Sequence, residues 1–127
     1  MYERLITALM LVIAVIHLLP LSGVAGVERL AALYGIEIED PNLEILMRHR
    51  AVLFGILGLM FGYAAFAPNL QPLAFLVATA SVVSFFYLAF AVGGYNGALR
   101  TIVIADAVAS VALIAAIVLY VIKPAPA

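Results

Sequence analysis

The sequence predicts an all-α protein: a four-helix transmembrane bundle with a short amphipathic interfacial helix between the first two spans. Three observations carry this reading. Of 127 residues, 68% are hydrophobic and 10% charged, with a mean hydropathy of +1.26, against about 45–50% apolar and about 25% charged in soluble domains. Seven acidic and six basic side chains are too few to coat the surface that so short a chain leaves uncovered, so the surrounding medium is lipid. Second, four long apolar runs are separated by Pro, Gly and Asn; at about 20 residues per crossing they use about 80 and leave about 47 for ends and connections. Third, small residues recur within those runs at steps of three and four, the spacing that lets helix backbones approach in a membrane.

The first span is expected over residues 5–21, opened by Glu3 and Arg4 and closed by Pro20, Ser22 and Gly23. Gly23-Val24-Ala25 is a weak cleavage-site pattern, but Glu3 stands in the would-be basic region and the run exceeds the usual h-region of about 7–15 residues. The run is read as an uncleaved span. Residues 26–35 place Val27, Leu30, Ala31, Leu33 and Tyr34 around Glu28 and Arg29, which suits a short helix lying in the interface, ended by Gly35. After acidic Glu37, Glu39 and Asp40 comes Pro41-Asn42, where Asn42 is expected to cap the second span.

The second span is expected over 43–66, the third over 73–92 after the Pro68 and Pro72 turn, and the fourth over 99–122, between the Gly93-Gly94 and Gly97 breaks and Pro124. Short connections make sequence neighbours pack antiparallel. Ala51, Gly55, Gly58, Gly62 and Ala65 are the expected packing face of the second span, and Ala105, Ala109, Ala112 and Ala116 that of the fourth. On the third, Ala80, Ser84, Tyr87 and Ala91 are expected to face inward.

Reversal at each connection brings the end of span one, the start of span two, the end of span three and the start of span four to one membrane side. His17, Glu44, Arg48, His49, Arg50, Ser84, Tyr87, Tyr95, Asn96, Arg100 and Asp106 gather there, against Thr7, Tyr63, Thr79 and Tyr120 at the other end. Ionisable groups within hydrocarbon normally face the protein interior and find partners. Arg48 and Glu44 continue the small-residue row, so they are expected inward and paired at i,i+4. Asp106 is expected to pair with Arg50, or failing that with His17.

The cluster predicts a polar cavity lined by His17, Arg48, Arg50, Tyr87, Tyr95, Asn96, Arg100 and Asp106 that receives an anionic or amphipathic ligand such as a lipid headgroup. Guanidinium forks suit phosphate or carboxylate. Two other readings stay open: an enzyme with His17 or His49 as acid/base, Asp106 as its orienter and Arg50 or Arg100 facing developing negative charge, and a quinone- or haem-linked redox accessory subunit with His17 and His49 as axial ligands of haem b. The acidic loop of Glu37, Glu39 and Asp40 is a further alternative, lying over the cluster and neutralising it. A net charge of −1 gives no footprint for nucleic acid, and the absence of cysteine excludes thiolate chemistry and Cys-ligated metal; no metal or other cofactor is expected. An oligomer remains open, because a pore would need more than one copy.

The stretches His17-Leu18-Leu19-Pro20, Leu33-Tyr34-Gly35, Met47-Arg48-His49-Arg50-Ala51 and Gly93-Gly94-Tyr95-Asn96, with Arg100 and Asp106, resemble small bacterial four-helix membrane proteins of the DoxX-like kind and related families of unassigned function. The resemblance covers nearly the whole chain. It implies a four-helix fold in a bacterial inner membrane. Some members of the group carry the label phosphopantetheine adenylyltransferase; the G-x-F-D-P and T/H-x-G-H segments with which that enzyme holds ATP do not occur here. The Arg48-His49-Arg50 run also echoes MAPEG-type enzymes, whose following Asn and Glu are replaced by Leu53 to Gly58. Arg4 and Lys123 against Arg29 favour cytoplasmic termini under the positive-inside rule, whereas counting all six basic residues reverses the answer.

Overall fold

A computed structural model describes residues 1–125. Helix α1 covers Tyr2–Leu18 and runs on as a 3₁₀ segment, Leu19–Ala25. Pro20 was expected to close the span, yet at the start of the 3₁₀ segment its missing N–H is no loss, and the crossing extends to Ala25. Helix α2 spans Val27–Tyr34 and stops at Gly35, whose φ of 63° is a left-handed conformation that glycine adopts without strain.

Helix α3 spans Pro41–Ala64. Its cap is Asp40, not the expected Asn42: the Asp40 carboxylate accepts the Asn42 backbone N–H at 2.9 Å, leaving Pro41 in the first turn where its ring fits. At the other end, carbonyls without intrahelical partners are met by side chains. Gln71 donates to the Ala64 oxygen at 3.2 Å, and Thr7 to the Ala65 oxygen at 2.8 Å. A 3₁₀ turn, Pro68–Leu70, leads to α4, Gln71–Val92. Helix α5, Gly97–Ile122, is capped by Asn96, which accepts the Leu99 N–H at 2.9 Å.

Four of these segments are long and apolar enough to cross a membrane. The lowest mean hydropathy, 1.5, belongs to Pro41–Ala64, the helix that carries Glu44, Arg48, His49 and Arg50. Helix α1 packs along both α3 and α5, while α4 packs mainly along α5 and touches α3 less. The bundle is therefore tight around α1 and open along the α3/α4 seam.

The expected small-residue faces of α3 and α5 are where the helices meet. Ala51, Gly55 and Gly58 are buried, as are Ala109, Ala112 and Ala116. A Cβ on Gly58 would come 2.5 Å from Leu18 Cγ and 3.1 Å from the Ala14 carbonyl, and one on Gly55 would meet Leu21 at 2.6 Å, so both glycines let α1 lie directly on α3. On α4 the expectation is overturned. Ala80, Ser84, Tyr87 and Ala91 are exposed, and the buried row is Gln71, Ala74, Phe75, Ala78 and Val82. Phe75 and Ala78 pack into the same core as Met10, Phe61 and Leu113.

Helix α2 also does more than float in the interface. Leu30 is 0% and Tyr34 4% exposed; with Ile38 they form a second apolar cluster against Met47, Leu99 and Ile102. The short helix closes the polar end of the bundle across α3 and α5.

Candidate functional site

His17, in the last turn of α1, is 1% exposed. Its Nδ1 lies 2.9 Å from the Ile13 carbonyl oxygen and its Nε2 3.0 Å from Ser81 Oγ on α4. A carbonyl can only accept, so Nδ1 carries the proton and the Ser81 hydroxyl donates to Nε2 in the neutral ring. Phe54 stacks on the imidazole at 5.7 Å between centroids and Phe61 meets it edge-on at 4.8 Å. Both nitrogens are thus occupied, and the residue ties α1 to α4 through a box of α3 aromatics.

Arg50 lies half-buried on α3. Its Nη1 donates to the Tyr34 hydroxyl at 2.6 Å, and the guanidinium carbon stands 4.5 Å from the Phe54 centroid and 5.4 Å from that of Tyr34, within cation–π range. Helix spacing places Phe54 one turn beyond Arg50, and the closing α2 helix supplies Tyr34. That is the only hydrogen bond Arg50 makes among the described residues, and its remaining N–H groups are not sealed in the interior.

Asp106 is half-buried on α5. The expected ion pair is not made: among the described residues the one salt bridge is Arg48–Glu44. Arg50 is instead turned onto Tyr34 and Phe54. Asp106, Arg50 and His17 do border one small cavity of about 60 Å³, with Tyr34, Phe54 and Ile102 among its walls. That exceeds the space one water needs, so the three polar groups face a shared volume without touching.

A larger crevice of about 340 Å³ opens beside it, lined by Tyr34, Met47, Arg50, Phe85, Tyr95 and Ile102 among others. A groove of about 470 Å³ follows the α3/α4 seam, with Arg50, Phe54, Leu57, Ala80, Ser84 and Phe85 on its walls. Arg50 borders all three spaces.

The other expected site residues divide. Tyr95 lines the crevice. Asn96 donates to the carbonyls of Tyr34 at 2.9 Å and Gly35 at 3.2 Å, so it holds α2 against the α5 start. Arg48 and Glu44 pair at 3.4 Å as expected, yet outside the bundle, with their side chains 45% and 35% exposed. Arg48 also donates to the Val24 carbonyl at 3.0 Å, bracing the end of the 3₁₀ segment that continues α1. Tyr87 is 71% exposed and lies outside the cluster, because α4 presents its other face to the core. His49 and Arg100 are exposed. With His17 fully engaged and His49 outside, the two do not form an axial pair for haem. Glu37, Glu39 and Asp40 are exposed and form no ion pair among the described residues, so the acidic loop does not neutralise Arg50.

Sequence reasoning missed Tyr34, Phe54 and Ser81. The Arg50/Phe54 spacing of four was a readable signal. Nothing local marks Ser81, and Tyr34 read as one more apolar residue of the interfacial helix.

Four apolar spans and a short helix between the first two define a small integral membrane protein built as a four-helix bundle. No family model, curated protein or solved structure matches the chain.

Proposed function

We propose that the protein binds an anionic amphiphile, a carboxylate- or phosphate-headed molecule, at the α2-closed end of the bundle, with Arg50 as the group that receives the head. The carrying observation is the position of Arg50: a half-buried guanidinium with no acidic partner within salt-bridge distance among the described residues, held by Tyr34 and Phe54, on the walls of three cavities. A cation at that depth calls for an anion, and its fork offers paired donors to a planar or tetrahedral oxyanion. Tyr95 stands at the crevice wall as a further polar contact. The catalytic alternative gains nothing from this geometry, since no Asp106 oxygen lies within ion-pair reach of His17 and both imidazole nitrogens are already occupied.

The resemblance to DoxX-like proteins supports a setting in the bacterial inner membrane, and the Arg4 and Lys123 flanks support cytoplasmic termini. Native mass spectrometry of the detergent-purified protein, loaded with a membrane lipid extract, tests the binding reading. Arg50→Gln should lower retention of the bound anion by roughly tenfold or more, the loss expected when a charge-assisted hydrogen bond worth about 1.5–3 kcal/mol is removed. Equal retention by a folded Arg50→Gln variant defeats the proposal.

A further inference from the structure

We infer that the ligand is a single-chain carboxylate whose tail lies in the α3/α4 seam, an extension that rests on the anion site at Arg50. The crevice and the seam groove share Arg50, Phe85 and Leu88, so a head held at Arg50 in the crevice has an apolar path along the seam leading away from it. That path runs towards the bundle's other end between Phe54 and Leu57 of α3 and Val77 and Ala80 of α4. From Arg50 to Leu57 it covers roughly 10 Å of α3 at about 1.5 Å per residue. It exists because α4 leans on α5 and touches α3 little, and because small Ala80 and Ser84 stand on its wall.

One groove takes one chain. The charge of the head follows from the neighbours that Arg50 has. Asp106 borders the small cavity that Arg50 also borders, so one carboxylate stands near the guanidinium, and among the described residues no second cation lines the crevice or the groove. With a single positive charge at the site, a monoanion adds the least uncompensated charge, and a doubly charged phosphate monoester adds twice as much in a low-dielectric site. A planar carboxylate also presents both oxygens to the fork.

The test measures binding of palmitate, butyrate and a palmitoyl lysophosphatidate to the full chain in nanodiscs, for the parent and for Arg50→Gln, Ala80→Phe and Ala80→Leu. Ala80 is exposed, so its replacements leave the core intact; unchanged melting midpoints check this. Each methylene displaced from an apolar site changes affinity about fourfold. Ala80→Phe should therefore weaken palmitate by roughly tenfold or more, Ala80→Leu by less, and butyrate, whose chain stops short of Ala80, by about twofold at most. If the palmitate-to-butyrate ratio is unchanged in both Ala80 variants while Arg50→Gln abolishes binding, the chain path is wrong and the anion site stands. Undiminished binding of both fatty acids to Arg50→Gln removes the anion site, and the path with it. Tighter binding of the lysophosphatidate than of palmitate overturns the carboxylate head.

Discussion

Removing the His17 imidazole empties the box between Phe54 and Phe61 and leaves the Ser81 hydroxyl without its acceptor. His17→Ala should lower stability by about 2–4 kcal/mol, the sum of a cavity and an unmet polar group. A double-mutant cycle with Ser81→Ala, read as melting midpoints in one detergent, should give a coupling of about 1 kcal/mol. A coupling near zero would mean that the His17–Ser81 bond does not tie α1 to α4. Asp106 behaves in the opposite way. Its carboxylate has no ion-pair partner among the described residues to orphan, so Asp106→Asn should leave stability at or above the parent's, by up to about 2 kcal/mol, because a costly charge is taken out of the bundle. The same change should tighten anion binding at Arg50; weaker binding would show that Asp106 itself holds the ligand.

At the scale of the helix pair, α1 and α3 touch through glycine. A methyl group on Gly58 would run into Leu18 and the Ala14 backbone, whereas one on Gly62, a turn further along, finds its nearest neighbour at 3.9 Å. Gly58→Ala should therefore cost about 1–3 kcal/mol through overpacking, and Gly62→Ala should be neutral or stabilising by up to about 1 kcal/mol through helix propensity. Thermal melts of the two variants make the comparison, and equal effects would show that close packing does not set the spacing. Helix α2 belongs to the same scale. Asn96 and Arg50 both bond to Tyr34, one at its backbone and one at its hydroxyl, so α2 both closes the bundle and orients the guanidinium. Tyr34→Phe should keep the closure and release Arg50, seen as weaker anion binding with an almost unchanged melting midpoint.

For the whole molecule, four crossings return the chain to the side on which it started. Single cysteines at Glu3 and Ala125 should label from one side of sealed vesicles and a cysteine at Glu39 from the other, with no native cysteine to confuse the readout. Labelling of Glu3 and Ala125 from opposite sides would break the four-span topology. The asymmetry of packing belongs here as well: α1 is gripped by α3 and α5, while α4 is held chiefly through α5 and the His17 tether. The looser seam is where the apolar groove opens.

Much of this was written locally in the chain. Composition determined the lipid setting, Pro and Gly punctuation determined the four spans and the α2 break, and the glycine and alanine rows marked the faces of α3 and α5, because a close backbone approach needs small residues at helical spacing. The gathering of polar residues at one end followed from reversal of direction alone. The phase of α4 was decided only by packing: with apolar residues all round, α4 has no polar face to orient it, and the choice fell to how Phe75, Ala78 and Val82 fit the core. The partner of Arg50 was likewise a tertiary outcome. Charge rules favoured Asp106, but once α2 folded over the bundle end, the Tyr34 hydroxyl and the Phe54 ring claimed the guanidinium. Spacing along one helix determines which side chains share a face; which face a neighbour covers depends on helices distant in sequence, and that is why only the folded bundle placed the site.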